Sequence, residues 1–530
     1  MPQGFGQLSG LDAAIIGVYL AAIVALGLFA SRQSKTATDY FLASRSSTWP
    51  TIGLALLASN ISSTTLIGLA GAAYATGISV YNYEWMASIV LVFFCLFLLP
   101  VILRSQVYTM PEFLERRFDG SIRLYFSGLT IFLNIVVDTA GTLFGGALMF
   151  KLIFPDVPLW QIAGLLALAA GAYTAAGGLK AVLVTEVVQA VILCGASIFV
   201  ALFAFDKAGG WDAVMAGVDA QKMSLIRPAG DENLPWTGLI SGVPLIGLYF
   251  WCTNQFMVQR VLSAKDLNHG RWGSLFAGLL KLPVLFLMVL PGSAAILMYP
   301  NLERADLVYP TLIFDLLPVG VIGIVVAGFL AAIMSSIAST FNSASTLVTM
   351  DFVRRFRPDV SQTALVRIGR ITTLCFMVLS VAWVPVVETM TDTLWQYLQA
   401  VLAYAVPPVV ALFLAGIFWD RANVAGARAG VVVGLVAGGV LFYGIQVAGT
   451  LHLHFLLAAT LLFALSLAAV ILASLLTAPP DRAKARTLMW TRADFDAETQ
   501  SLRGQPLWQN YRVQGAALLI LTAVIVWIFR

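Results

Sequence analysis

Apolar runs of about twenty residues or more alternate with short polar stretches along almost the whole chain. They fall at 11–31, 50–74, 80–103, 124–154, 158–177, 181–205, 236–260, 272–299, 309–349, 364–389, 393–419, 424–447, 453–477 and 510–529. A helix needs ~20 apolar residues to cross ~30 Å of hydrocarbon, so the pattern predicts an all-α integral membrane protein with about fourteen transmembrane helices in a single domain, 1–530. Composition agrees. Hydrophobic residues make up 59% of the chain and charged residues 11%, against about 25% charged in ordinary globular proteins. That excludes a soluble enzyme, a nucleic-acid binder and a secreted disulfide scaffold. The four cysteines lie singly inside apolar runs and the three histidines form no cluster, so neither implies a redox or transition-metal site.

Charge placement predicts the orientation. With the N-terminus outside, 24 of the 31 lysines and arginines fall in cytoplasmic loops, among them Arg32, Lys35 and Arg260. That bias requires an even number of crossings and puts both ends outside. The largest outer loop, 206–235, is acid-rich, and the cytoplasmic stretch 478–509 reads as a surface linker.

Four of the ionisable residues inside the runs stand out: Glu84, Asp138, Glu186 and Lys281. Each costs at least ~2.5 kcal/mol on insertion scales and so needs a partner or a purpose. Two runs also carry helix-breaking chemistry. The second has a polar patch over Ala58-Ser59-Asn60-Ile61-Ser62-Ser63-Thr64-Thr65, and the seventh strings Gly242, Pro244 and Gly247 before Thr253-Asn254-Gln255. Such segments suit unwound backbone lining a cavity. They open two successive five-helix groups, 47–206 and 235–419, with accessory helices over 424–530, the pattern of an inverted-repeat transporter. The ninth run adds Ser335 and Ser336, whose hydroxyls with freed carbonyls near Ala58 and Ile61 favour a weakly held monovalent cation.

These residues resemble the sugar-transporting branch of the sodium/solute symporter family. The resemblance rests on Ala58 to Ser63 followed by Gly68-Leu69-Ala70-Gly71, on Tyr83-Glu84-Trp85, and on Phe250-Trp251-Cys252-Thr253-Asn254-Gln255 continuing through Val258-Gln259-Arg260. Ser335-Ser336, Phe341 to Thr346, Tyr397-Leu398-Gln399 and Pro407-Pro408 follow in order, and the match covers roughly 10–477. It implies a leucine-transporter-like fold. It also implies a sodium site from the carbonyls of Ala58, Ile61 and Ala332 and the hydroxyls of Ser335 and Ser336. Sugar contacts would come from Asn60, Thr65, Tyr83, Glu84, Lys281 and Gln399, with Trp251 beneath the ring and Phe250 at the inner gate.

Three positions depart from the family pattern: Thr65, Gly247 and Phe250 replace larger or hydroxylated groups. A second sodium would lie between Glu186 and Ser339; Glu186 keeps a negative charge, whereas Ala338 lacks the hydroxyl found in members that couple two ions. The expected function is sodium-coupled import of a hexose such as glucose or galactose. An inositol or other polyol, or a non-transporting sugar sensor of the same fold, are the alternatives. The expected partners are sodium, the sugar and the bilayer, with no organic cofactor, nucleic acid or obligate protein partner. Short outer loops place the expected protein in a bacterial inner membrane.

Overall fold

The computed structural model describes residues 8–31, 36–390 and 394–530; Arg32 and Lys35 lie outside the described residues. Among those residues the regular elements are helical, and twelve helices are long and apolar enough to cross a bilayer. Two bent helix pairs raise the number to fourteen. In chain order the elements used below are α1 (Gly10–Ser31), α2 (Trp49–Asn60), α3 (Ser63–Thr76), α4 (Asn82–Phe93), α5 (Gly120–Leu133), α6 (Leu159–Lys207), α7 (Trp236–Leu248), α8 (Gln255–Leu262) and α9 (Leu267–Lys281). They continue with α10 (Val321–Leu347), α11 (Gln362–Met390), α12 (Leu394–Ala405), α13 (Pro407–Phe418), α14 (Val424–Phe442), α15 (Phe455–Leu476), α16 (Arg492–Leu502) and α17 (Tyr511–Ile528).

The core sits around α10, which is buried along nearly its whole length. The flanking helices turn branched side chains outward instead, as with Val432, Val436 and Val440 on α14 and Leu472 and Leu475 on α15. An apolar exterior around a polar-lined centre is what a lipid solvent selects.

Three local features position the site. First, α2 and α3 bend by 62° where Ile61 and Ser62 take extended backbone, in the middle of the hydroxyl-rich patch. Thr65 closes the break: its hydroxyl donates to the Asn60 carbonyl (3.1 Å) and accepts from the Ser62 N–H (3.3 Å). Second, α7 runs through Pro244 into a π-helical turn, Tyr249–Thr253, and unwinds at Asn254, whose side chain then caps α8. Another π turn, Asn134–Thr139, joins α5 to the helix Ala140–Ile153. Single π turns widen a helix by one residue and re-aim the side chains beside them.

Third, α6 would be about 73 Å long if straight, more than twice the hydrocarbon thickness. It folds back at Gly178, at φ +60°, where a Cβ would stand 2.4 Å from the Tyr40 carbonyl oxygen. The sequence expectation of two separate spans there holds. The run at 309–349 does not hold as one span. Pro318 and Gly320 (φ +87°) end a short helix, Val308–Leu316, before α10 begins. Apolar neighbours hide that turn from a hydropathy reading.

Candidate functional site

Asn60, Thr65, Tyr83, Glu84, Phe250, Trp251, Lys281 and Gln399 all line one cavity of about 110 Å³. Each comes from a different local device. Asn60 is the last residue of α2, exposed to the cavity by the break. Glu84 occupies the first turn of α4, which Asn82 fixes by donating to the Leu225 carbonyl (2.6 Å) and accepting from Trp85 Nε1 (2.6 Å). Lys281 ends α9 just before Pro283, and Tyr81 takes up the Leu282 carbonyl (2.9 Å).

The Lys281 ammonium donates to Glu84 Oε2, and both side chains are buried. Each removes the other's cost of burial, which neither could sustain alone. The ammonium also lies 5.9 Å from the centroid of the Trp251 ring, within reach of the ring's negative face. Phe250 packs edge-on against Trp251 and Phe256 at 5.5 Å each, so three aromatic rings close one end of the cavity. At the other end Tyr83 meets Trp395 edge-on at 5.8 Å, and the pair separates the cavity from a second hollow lined by Thr76, Ser79 and Asn233.

Among the described residues, Asn60 Oδ1, Trp395 Nε1 and Gln399 Oε1 are buried without a hydrogen-bond partner. Buried polar atoms are rarely left so. Two acceptors and a donor therefore face the cavity free to receive a polar solute. Asp138, which sequence reasoning noticed without assigning, also lines it from the π turn, and among the described residues its carboxylate accepts no hydrogen bond. The wider π turn aims it inward, and nothing in residue spacing announces such a turn.

The second group of expected residues converges beside this cavity. Ser335 Oγ donates to the Ala58 carbonyl (2.7 Å) and lies 3.0 Å from that of Ala332. Ser336 Oγ lies 3.4 Å from the Ile61 carbonyl and 3.3 Å from that of Ser59, and itself lines the cavity. Six neutral, hard oxygens at one break, the five expected ones and the Ser59 carbonyl, fit a monovalent cation, since a divalent one normally collects carboxylates. Among the described residues no cluster of three or more His, Cys, Asp or Glu could hold another metal.

The position expected for a second sodium is built differently. Glu186 Oε1 is 2.8 Å from Ser59 Oγ and 2.5 Å from Ser339 Oγ, but it also accepts from Arg260 at 2.6 Å. Arg260 donates further to Ser339 Oγ and to the Phe256 carbonyl, and both charged side chains are fully buried. This corrects the sequence reading, which counted Arg260 among cytoplasmic loop cations. It lies on α8, inside the protein, because the unwinding at Asn254 turns that short helix back into the core. The available signal was Glu186 itself, a buried carboxylate still lacking a cation.

Comparison with known proteins agrees with this geometry. The sodium:solute symporter family profile matches residues 40–434. A sodium/glucose cotransporter 4 of Danio rerio is 35% identical, with 92% of this chain and 82% of that one aligned. A sodium/mannose cotransporter of Bos taurus is 36% identical over 82% of this chain and 79% of its own. A sodium/myo-inositol cotransporter 2 of Oryctolagus cuniculus is 34% identical over 91% and 79%. Among solved structures, a Na+-coupled sialic acid symporter in a substrate-bound outward-open state superposes with a TM-score of 0.81 at 22% identity, covering 89% of this chain and 99% of its own. That likeness establishes the fold. With two broken helices, the converging oxygens between them and this span of matched sequence, the chain belongs to the sodium:solute symporter family.

Proposed function

We propose that this protein imports a hexose or a closely related polyol together with sodium, by alternating access. The observation that carries the reading is the cavity's polar inventory: Glu84 and Lys281 as a pair, with the unpartnered Asn60 Oδ1 and Gln399 Oε1 around the Trp251 ring. A sugar ring offers several hydroxyls that both donate and accept, and an apolar face that an aromatic ring can cover. The relatives named for glucose, mannose and myo-inositol transport support this substrate class.

Ala58, Ile61, Ala332, Ser335 and Ser336 are the proposed sodium ligands. They join α2 to α10, so occupancy there holds the break in the shape that presents Asn60 to the sugar. Coupling follows because only a state with both helices engaged completes both sites. We take 47–206 and 235–419 as inverted repeats whose broken helices meet at the site. The face bearing 206–235 is proposed to be outside and the basic face bearing 478–509 cytoplasmic, with both ends outside, in a bacterial inner membrane. Tyr83 with Trp395 then closes the cavity outward, and Phe250 with Trp251 and Phe256 closes it inward.

The test is uptake of a panel of labelled hexoses and inositols into proteoliposomes, with and without a sodium gradient. Sodium-stimulated uptake of at least one is expected, and sodium-independent or absent uptake across the panel would sink the reading. Counterflow of the labelled sugar distinguishes transport from sensing.

A further inference from the structure

We infer that Asp138 is the counter-charge of the transported sodium, the one carboxylate that balances an ion whose proposed ligands are all neutral; this deepens the sodium-symport reading above and rests on it.

Carbonyls and serine hydroxyls make up the proposed sodium shell, so nothing in it offsets the charge of the ion. A lone cation enclosed in protein is strongly unfavourable, and a negative group has to lie close by. Of the three charged side chains lining the cavity, Glu84 and Lys281 neutralise one another. Glu186, outside the cavity, is already matched by Arg260. Asp138 is left over. Its carboxylate faces the same cavity as Ser336, and among the described residues it has neither a hydrogen-bond nor an ion-pair partner. A bare ionisable group inside a membrane span calls for a function.

The backbone holds that carboxylate against both halves of the ion site. Asp138 sits in the π turn Asn134–Thr139. On one side Thr142 donates to the Asp138 carbonyl (2.6 Å), and Ser63 at the start of α3 donates to the Thr142 carbonyl (2.6 Å). On the other side Thr139 Oγ1 lies 2.8 Å from Thr340 Oγ1, which donates to the Ser336 carbonyl (3.1 Å). The turn is thus latched to α3 just past the break, and to α10 one turn from Ser336. The charged groups lining the cavity sum to one negative charge, and a single monovalent cation brings that sum to zero. A neutral solute changes nothing in this balance. Across a cavity of only about 110 Å³, walled by protein, the attraction is far less screened than in water. Ion and solute therefore share a neutral cavity, and Asp138 makes it so.

The experiment measures ²²Na+ binding to the purified full-length protein without sugar, together with thermal unfolding in sodium-free choline medium. Asp138→Asn keeps the shape and removes the charge, so its sodium Kd should rise at least about tenfold. Asp138→Glu keeps the charge and should recover most of the affinity lost in Asp138→Asn. In choline the asparagine variant should melt no lower than wild type, while the rise in melting temperature on adding sodium should shrink. Wild-type sodium affinity in Asp138→Asn would overturn the inference, and a raised sugar KM alone would make Asp138 a solute ligand instead. A lower melting temperature in choline, or failure of Asp138→Asn to fold, would make the carboxylate structural and overturn it equally. A wild-type protein that binds no ²²Na+ would remove the sodium-symport reading itself, an outcome distinct from all of these.

Discussion

A lysine and a glutamate enclosed together stabilise one another only while both are present. Lys281→Ala strands Glu84, and breaking one member of a buried pair typically costs about 3–5 kcal/mol. Thermal unfolding of the purified variant should show a clear loss of stability, and labelled sugar uptake should vanish while ²²Na+ binding persists. Sugar affinity within a few-fold of wild type would make the lysine merely structural. Ser336→Ala removes one of five proposed sodium oxygens. The sodium concentration for half-maximal uptake should rise about tenfold, or ~1.4 kcal/mol; an unchanged sodium dependence would move the site elsewhere. At this scale much was legible beforehand. The eight cavity residues named in advance do line one cavity: Glu84 and Lys281 stood out as ionisable groups inside apolar runs, whereas the other six were singled out through the family resemblance. Arg260 was not legible, since a cation at the end of an apolar run reads as a loop cation until the backbone is seen to turn inward.

The helical elements owe their usefulness to where they stop being helical. Gly178 lets α6 reverse at positive φ while lying against the Tyr40 backbone. A side chain there meets both a disfavoured conformation and a clash, so Gly178→Ala should cost at least about 1–3 kcal/mol. The check is the folded yield and melting temperature in detergent; near-wild-type values would mean that the turn is looser than its geometry implies. The breaks at Ile61 and Asn254 were foreseeable from hydroxyls, glycines and proline within apolar sequence. The π turns were not, because one extra residue in a helical turn leaves periodicity almost unchanged, and Asp138 is aimed into the cavity by such a turn.

Across the whole molecule, a network on the 478–509 face ties the C-terminal helices to the site-bearing α9. Glu498 on α16 accepts from Arg271 on α9, from Tyr511 (2.6 Å) and from Arg512 (2.9 Å) on α17, while Arg271 stacks 3.9 Å from the Tyr511 ring. Burial alone would raise the Glu498 carboxyl, but the Tyr511 hydroxyl and the two guanidiniums outweigh it and hold the pKa below the ordinary 4.5. A depressed carboxylate stabilises the fold above its unfolded pKa and loses that contribution as pH falls through its folded value. Glu498→Gln should therefore lower the melting temperature at pH 7. Its difference from wild type should shrink on acidification below about pH 4. A difference independent of pH would show that shape, not charge, holds α16.

The neutrality of two buried ion pairs has a consequence for the work the protein can perform. Glu84 with Lys281 and Glu186 with Arg260 are neutral as pairs, so a neutral solute carried with one sodium ion moves a single charge. A membrane potential of 100 mV then contributes about 2.3 kcal/mol per turnover, which sets an accumulation ratio of roughly fifty. A carrier moving two free ions would square that figure and consume twice the gradient. The number of ions carried thereby sets the balance between thrift and concentrating power.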